Sequence, residues 1–260
     1  MENTNRLKGK NVIVTGASAG FGAAIARSFA AYGCALELWA RRRDRLVSLR
    51  DELQRTHDAK VSLRVLDVRD RGAVASAAED LRSAGWAPDV LVNNAGLASG
   101  FDPIHEGDYA DWDAMIDTNL KGLLNVTREI LPMMVERDAG HVINIGSVAG
   151  YMAYPKGNVY NATKFAVRGL TEAMAVDLFG TRVRMSSVDP GAAETEFSLV
   201  RFHGDDDRAR KVYDGFQPLT AQDVADAVLY VANAPAHVNV SKLVIMPTAQ
   251  RNPYLIDRKG

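Results

Sequence analysis

An α/β fold of one domain, with a seven-stranded parallel sheet flanked by helices on both faces, is what this 260-residue sequence predicts. Three observations carry that expectation. Apolar bursts of strand length alternate with helical stretches along the chain, which is the rhythm of βαβ crossovers. Turns rich in Gly and Asn fall at the carboxyl ends of those bursts, where doubly wound sheets bind their ligands. The composition is globular, 47% hydrophobic and 24% charged, with no Pro/Gly/Ser-rich linker to divide residues 1–260. Together these describe a doubly wound, Rossmann-type domain.

The elements follow in order. NVIVTG (11–16) reads as the first strand and the alanine-rich FGAAIARSFAAYG (21–33) as the helix that returns over the sheet. ALELWA (35–40) leads into the charged helix RDRLVSLRDELQRT (43–56), and VSLRVLDV (61–68) into a helix over residues 70–83. DVLVNNAG (89–96) precedes a helix over 112–136, and HVINIGS (141–147) precedes one reaching Phe179. TRVRMSSVDPG (181–191) and KLVIMPT (242–248) complete the sheet, with a helix over 220–233 between them. Segment 192–220 breaks the rhythm: long and charged, it is expected to be a substrate-covering insertion or a partly mobile loop.

A net charge of −1 gives no electrostatic reason to expect nucleic acid or an anionic membrane surface as partner. The polar amino end, MENTNRLKGK, lacks the apolar core of a signal peptide. No apolar run approaches the ~18 residues of a membrane span. A cytoplasmic, reducing setting is therefore expected. The one cysteine, Cys34, has no companion for a disulfide or a metal cluster. It reads as a small packed residue, and no metal is expected.

TGASAGFG (15–22) places Gly16, Ser18, Gly20, Phe21 and Gly22 between the first strand and first helix. Glycine there allows close backbone approach, and a helix start offers free N–H groups to a phosphate. A dinucleotide is expected on this turn. The second strand ends Ala40-Arg41-Arg42, with no carboxylate until Asp44. A guanidinium pairs with a ribose 2′-phosphate that a carboxylate would repel, so Arg41 and Arg42 favour NADP(H) over NAD.

Tyr160 and Lys164 lie four residues apart, one above the other on a single helical face. A free phenol has a pKa of about 10. An ammonium ~4 Å away, at an effective dielectric of ~20, favours the phenolate by about 4 kcal/mol. On that reckoning the phenol is expected near working pH. Ser147, at the end of the preceding strand, can bind a substrate oxygen and turn it toward Tyr160.

The ordered set of TGASAGFG, Asp67-Val68, NNAG (93–96), Asn119 in DTNLKG, Ser147 in INIGS, YNATK (160–164) and PGAAET (190–195) resembles the short-chain dehydrogenase/reductase family, over residues 10–248. The resemblance implies an oxidoreductase that moves a hydride between NADP(H) and a CH–OH group, with Tyr160 as general acid/base. It implies that Lys164 also binds the nicotinamide ribose and that Asn119 holds a water joining Lys164 to solvent. Asp67 and Val68 would hold the adenine, and Asn94, Ala95 and Gly96 would line the ribose and nicotinamide. Pro190, Gly191, Ala193 and Thr195 would meet the carboxamide and diphosphate. NAGLASG, DWDAMIDTNLKGL, NVYNATKFAVRG, ETEFSLVRFHGDD and PAHVNV are similar to family members acting on small 3-hydroxy acids and their semialdehydes, of the 3-hydroxypropionate, serine or allo-threonine type.

Sulfoacetaldehyde reductases are similar relatives that share every motif. Lys156 departs from the pattern and adds a positive charge near the site. The substrate is expected to be a small acidic hydroxy acid or aldehyde, met by Ser147, Tyr154 and either Lys156 or Arg201. A non-catalytic NADP-binding sensor is the rival expectation. Family members are commonly tetramers built partly through the helices holding Asn119 and Tyr160, so a homotetramer is expected.

Overall fold

The computed structural model describes residues 4–259. The first three residues of the polar amino end and the last residue of the expected 1–260 domain lie outside the described residues. Seven strands are found among the described residues: β1 (Asn11–Thr15), β2 (Ala35–Ala40), β3 (Val61–Val65), β4 (Val90–Asn93), β5 (Gly140–Ile145), β6 (Val183–Pro190) and β7 (Lys242–Ile245). They form one sheet in the order β3-β2-β1-β4-β5-β6-β7, with every neighbouring pair parallel. The expected seven-stranded, doubly wound sheet is present. Strand order reverses between β1 and β4, and the crevice beyond their carboxyl ends is where such sheets take a ligand.

Alternation along the strands divides the core. Val12 and Val14 face one hydrophobic layer together with the helices α1 (Gly20–Ala31), α2 (Arg43–His57) and α9 (Ala221–Ala232). Ile13, Leu91 and Val142 face the other, against α3 (Arg71–Ser83) and α5 (Leu123–Glu136). Burial on both faces is why these strands read as nearly continuous apolar runs. Cys34 belongs to the first layer, where its thiol donates to the Leu7 carbonyl at 3.2 Å and burial pushes its pKa up to about 12. It is a packed residue, as expected. No helix among the described residues is long and apolar enough to cross a membrane.

Element ends moved where a polar side chain or a turn took over. β3 stops at Val65, so Leu66, Asp67 and Val68 leave the sheet and turn into a cleft at its carboxyl edge. α3 starts where Asp70 accepts the Ala73 N–H at 3.0 Å. The helix expected from residue 112 begins earlier, at α4 (Tyr109–Ile116), capped by Asp108. It passes through a π-helical stretch, Asp117–Gly122, before α5. α6 (Asn158–Asp177) stops short of Phe179. Segment 192–220 is not one loop: it folds into two short helices, α7 (Phe197–Arg201) and α8 (Asp206–Lys211), before the Thr220/Asp223 capping box opens α9.

One buried titratable group sits far from the crevice. His141 at the start of β5 places Nε2 2.7 Å from Ser186 Oγ, while its buried Nδ1 has no partner among the described residues. Burial first, and then Arg184, push its pKa down to about 3. Unfolded, the same imidazole takes a proton below about 6.5. Stability is therefore expected to be fully present above pH 6.5 and to fall as pH drops toward 3, by about 1.4 kcal/mol per unit near pH 5. Urea unfolding across this range, compared with His141→Asn, measures the effect: the variant should lose this part of the slope.

Candidate active site

Two clefts meet at the carboxyl edge of the sheet. One, of about 270 Å³, is lined by the β1–α1 turn, the ends of β2 and β3, and Thr195–Phe197. The other, of about 490 Å³, is lined by Ser147, Tyr160, Lys164, the 190–195 turn, segment 192–220 and the tail around Tyr254. Asn94, Gly96 and Thr195 border both.

In the first cleft α1 begins at Ala19 with no side-chain cap and no acidic residue in its first turn. α3, α4, α8 and α9 are each capped by an Asp or Thr, whereas α2 and α6 share the uncapped start of α1. The first N–H groups of α1 therefore remain for an anion. Gly16 adopts φ +66°, and a Cβ there would lie 2.9 Å from both Ala95 Cα and Asn94 Nδ2. A Cβ on Gly22 would meet the Gly16 carbonyl oxygen at 2.3 Å. These two glycines serve the packing of the turn onto β4 as much as any ligand. Asn94 braces the same turn, its Nδ2 donating to the Thr15 carbonyl at 2.8 Å.

The end of β2 carries the expected arginines. Arg42 Nε donates to Ser18 Oγ at 3.1 Å, and Arg41 lies 3.9 Å from Asp67. Burial pushes the Asp67 carboxyl up, but bonds from Arg69 outweigh it and hold the group below its usual range. A carboxylate absent from the local sequence is nonetheless present: Glu196 reaches across from segment 192–220 to Arg42 at 2.9 Å and to Arg45. Uncapped backbone donors, paired arginines and a lining of Ala40, Leu66, Val68 and Ala95 fit a dinucleotide with an extra phosphate.

In the second cleft Tyr160 lies on α6 with its ring edge-on to Phe197, at 5.4 Å between centroids. Lys164 Nζ stands 5.9 Å from that ring's centroid and donates to the Ile145 carbonyl at 2.9 Å. Ser147 ends the turn after β5, accepting the Ala149 N–H at 3.1 Å. Asn119 sits in the π-helical stretch, a device common where a helix must re-aim one side chain. Its oxygen accepts the Leu97 N–H at 2.8 Å, and its amide donates to the Leu97 carbonyl and to Thr163 Oγ1. Thr163 in turn donates to the Tyr160 carbonyl at 2.8 Å. Asn119 thus ties the loop after β4 to the helix of Tyr160.

The electrostatics correct the sequence reading. Burial, and then Tyr154, push the Tyr160 phenol well above its usual pKa, with Arg201 and the Ser147 hydroxyl pulling it back. Burial also pushes Lys164 down to about 8, against the opposing charge of Asp189. The expected depression of the phenol by a neighbouring ammonium does not dominate, because both groups are withdrawn from water and the ammonium is turned to a carbonyl. Asp189, in the stretch expected as the strand TRVRMSSVDPG, is not among the expected site residues. It lies inside β6, 1% exposed, accepting from Tyr151 Oη and Ser187 Oγ at 2.8 Å each. A carboxylate within an apolar strand was the available signal.

Of the substrate candidates, Arg201 lines the larger cleft and shares a smaller adjoining one with Lys156. Arg201 Nη2 donates to Tyr154 Oη at 2.6 Å, and its guanidinium lies 5.0 Å from the Tyr160 ring centroid and 5.1 Å from that of Phe197. Its buried Nε has no partner among the described residues. Lys156 is exposed, on a left-handed residue at φ +64°; it does not line the larger cleft but borders the smaller one together with Asp111, Tyr160 and Arg201. Lys156 therefore approaches Tyr160 and Arg201 from this outer side, on a left-handed turn at the cleft's rim. Phe197, Tyr213 and Tyr254 join the wall unanticipated, from segments with no local periodic signal.

Comparison with known proteins agrees with this geometry. The short chain dehydrogenase family profile matches residues 10–204. The chain is 48% identical over 240 residues to an NADP-dependent 3-hydroxy acid dehydrogenase of Escherichia coli K12, covering 92% of this chain and 95% of that one. It is 47% identical over 249 residues to sulfoacetaldehyde reductase 2 of Chromohalobacter salexigens, covering 95% and 98%. Among solved structures, the closed form of a serine dehydrogenase complexed with NADP+ superposes with a TM-score of 0.90 at 46% identity, covering 96% of this chain and 100% of that one.

Proposed function

This chain belongs to the short-chain dehydrogenase family, and on that premise we propose that it interconverts a small 3-hydroxy acid and its semialdehyde with NADP(H). The observation that carries the proposal is Arg201, a cation with a spare buried donor, held against the ring of Tyr160 in one cavity. When bound, NADP(H) supplies or accepts the hydride. Tyr160 gives the proton to the substrate oxygen in reduction and takes it back in oxidation. Ser147 holds that oxygen, and Arg201 holds the acidic group at the other end of the substrate, fixing its orientation. Lys164, protonated, favours the phenolate that oxidation requires. Segment 192–220, with α7 and α8, covers the cavity as a lid.

A sulfonate reading has its own support in the sulfoacetaldehyde reductase relative, since a guanidinium pairs with either anion. Convergence of Ser147, Tyr160 and Lys164 on one cavity argues against a non-catalytic sensor. Exposed apolar residues on α5 and α6 and just beyond, Leu124, Val135, Phe165, Val176 and the 93% exposed Phe179, support a homotetramer. The cytoplasm is the proposed location.

Initial rates of oxidation of 3-hydroxypropionate, serine, isethionate and an apolar alcohol, each with NADP and NAD, test the proposal. Turnover confined to the apolar alcohol would overturn it. A pH profile tests the role of Lys164. Asp189→Asn removes the charge that opposes burial at that lysine, so its ammonium loses a proton below about pH 8. The alkaline limb of kcat/KM is then expected at lower pH than in the parent; an unmoved limb contradicts the role.

A further inference from the structure

We propose that Glu196 is a specificity-determining residue of the cofactor cleft, holding the arginines beyond β2 until a 2′-phosphate displaces it. The inference rests on the reading that this cleft takes NADP(H). Glu196 precedes α7 and lies 154 residues from Arg42 in sequence, yet Glu196 Oε2 is 2.9 Å from Arg42 Nη1, and Oε1 reaches Arg45. Arg42 also donates through Nε to Ser18 in the phosphate-binding turn, and Ser18, Arg42 and Glu196 all line the cleft. A negative charge therefore occupies the place where discrimination between the two dinucleotides is made. The Arg45 and Arg42 guanidiniums keep this carboxyl below its usual pKa range, so it stays charged at neutral pH.

Binding of a 2′-phosphate exchanges one anion for another on the same guanidiniums. The phosphate brings more charge and more acceptor oxygens, so it wins the exchange, at the cost of breaking the existing bridges. A dinucleotide without that phosphate leaves the bridges in place. The exchange also reaches the substrate: the helix that Glu196 precedes carries Phe197 and Arg201, both packed on the ring of Tyr160. Releasing its amino end frees the element that positions the substrate's anchor.

Calorimetric titration of the full chain with 2′,5′-ADP and with 5′-AMP tests this without any turnover. In Glu196→Gln, 2′,5′-ADP is expected to bind about fivefold tighter, the size of one or two exposed ion pairs, with 5′-AMP within about twofold of the parent. Arg42→Ala is the companion variant and should weaken 2′,5′-ADP alone. If Arg42→Ala does so while Glu196→Gln leaves 2′,5′-ADP unchanged or weaker, the arginine reading stands and the proposal for Glu196 fails. If Arg42→Ala leaves 2′,5′-ADP unaffected, the arginine reading fails and the proposal falls with it.

Discussion

Replacing Tyr160 with phenylalanine is expected to lower kcat by about 10²- to 10⁴-fold, the usual weight of a positioned general acid/base. The variant keeps the aromatic ring that packs against Phe197 and Arg201, so fold and cofactor affinity should survive. Only the phenolic oxygen is lost. Because burial raises this phenol's pKa, it is protonated throughout the neutral range. That state is ready to donate in reduction, whereas oxidation first requires the proton to leave. Oxidation should therefore rise with pH more steeply than reduction. Stopped-flow rates in both directions, alongside cofactor titration by fluorescence, make the comparison. A Tyr160→Phe protein that binds cofactor and turns over at the parent rate would remove the proposed chemistry altogether.

Arg201→Ala carries the second large effect. A hydrogen-bonded charge pair in a water-poor cavity is worth about 1.5–3 kcal/mol, so kcat/KM for carboxylate or sulfonate substrates should drop about 10- to 100-fold. A neutral alcohol of similar size has no such partner to lose and should change far less. Since Arg201 also stacks among Tyr154, Tyr160, Phe101 and Phe197, truncation alone could loosen the cavity. Arg201→Lys controls for that: it keeps the charge and gives up the planar fork and much of the stacking. Its activity on anions should fall between parent and alanine variant. Equal losses for charged and neutral substrates in both variants would make Arg201 a packing residue and leave the substrate anchor unassigned.

What this sequence determined by itself was everything that depends on neighbours along the chain. Apolar bursts of strand length, alternating with helical stretches, placed seven strands and the helices between them, since burial on both sheet faces leaves a strand apolar along its length. The glycines of 15–22, the arginines beyond β2, and the four-residue spacing of Tyr160 and Lys164 were equally legible, because a turn or a helical face spans only a few residues. Tertiary structure decided which distant charges meet and how dry their surroundings are. It brought Glu196 onto Arg42, packed Arg201 against the ring of Tyr160, hid Asp189 within β6, and reversed the expected shift of the phenol. The physical reason is that a charge's energy depends on its distance from other charges and on the water excluded around it. Both are properties of the packed fold, and neither has a period that a chain of letters can display.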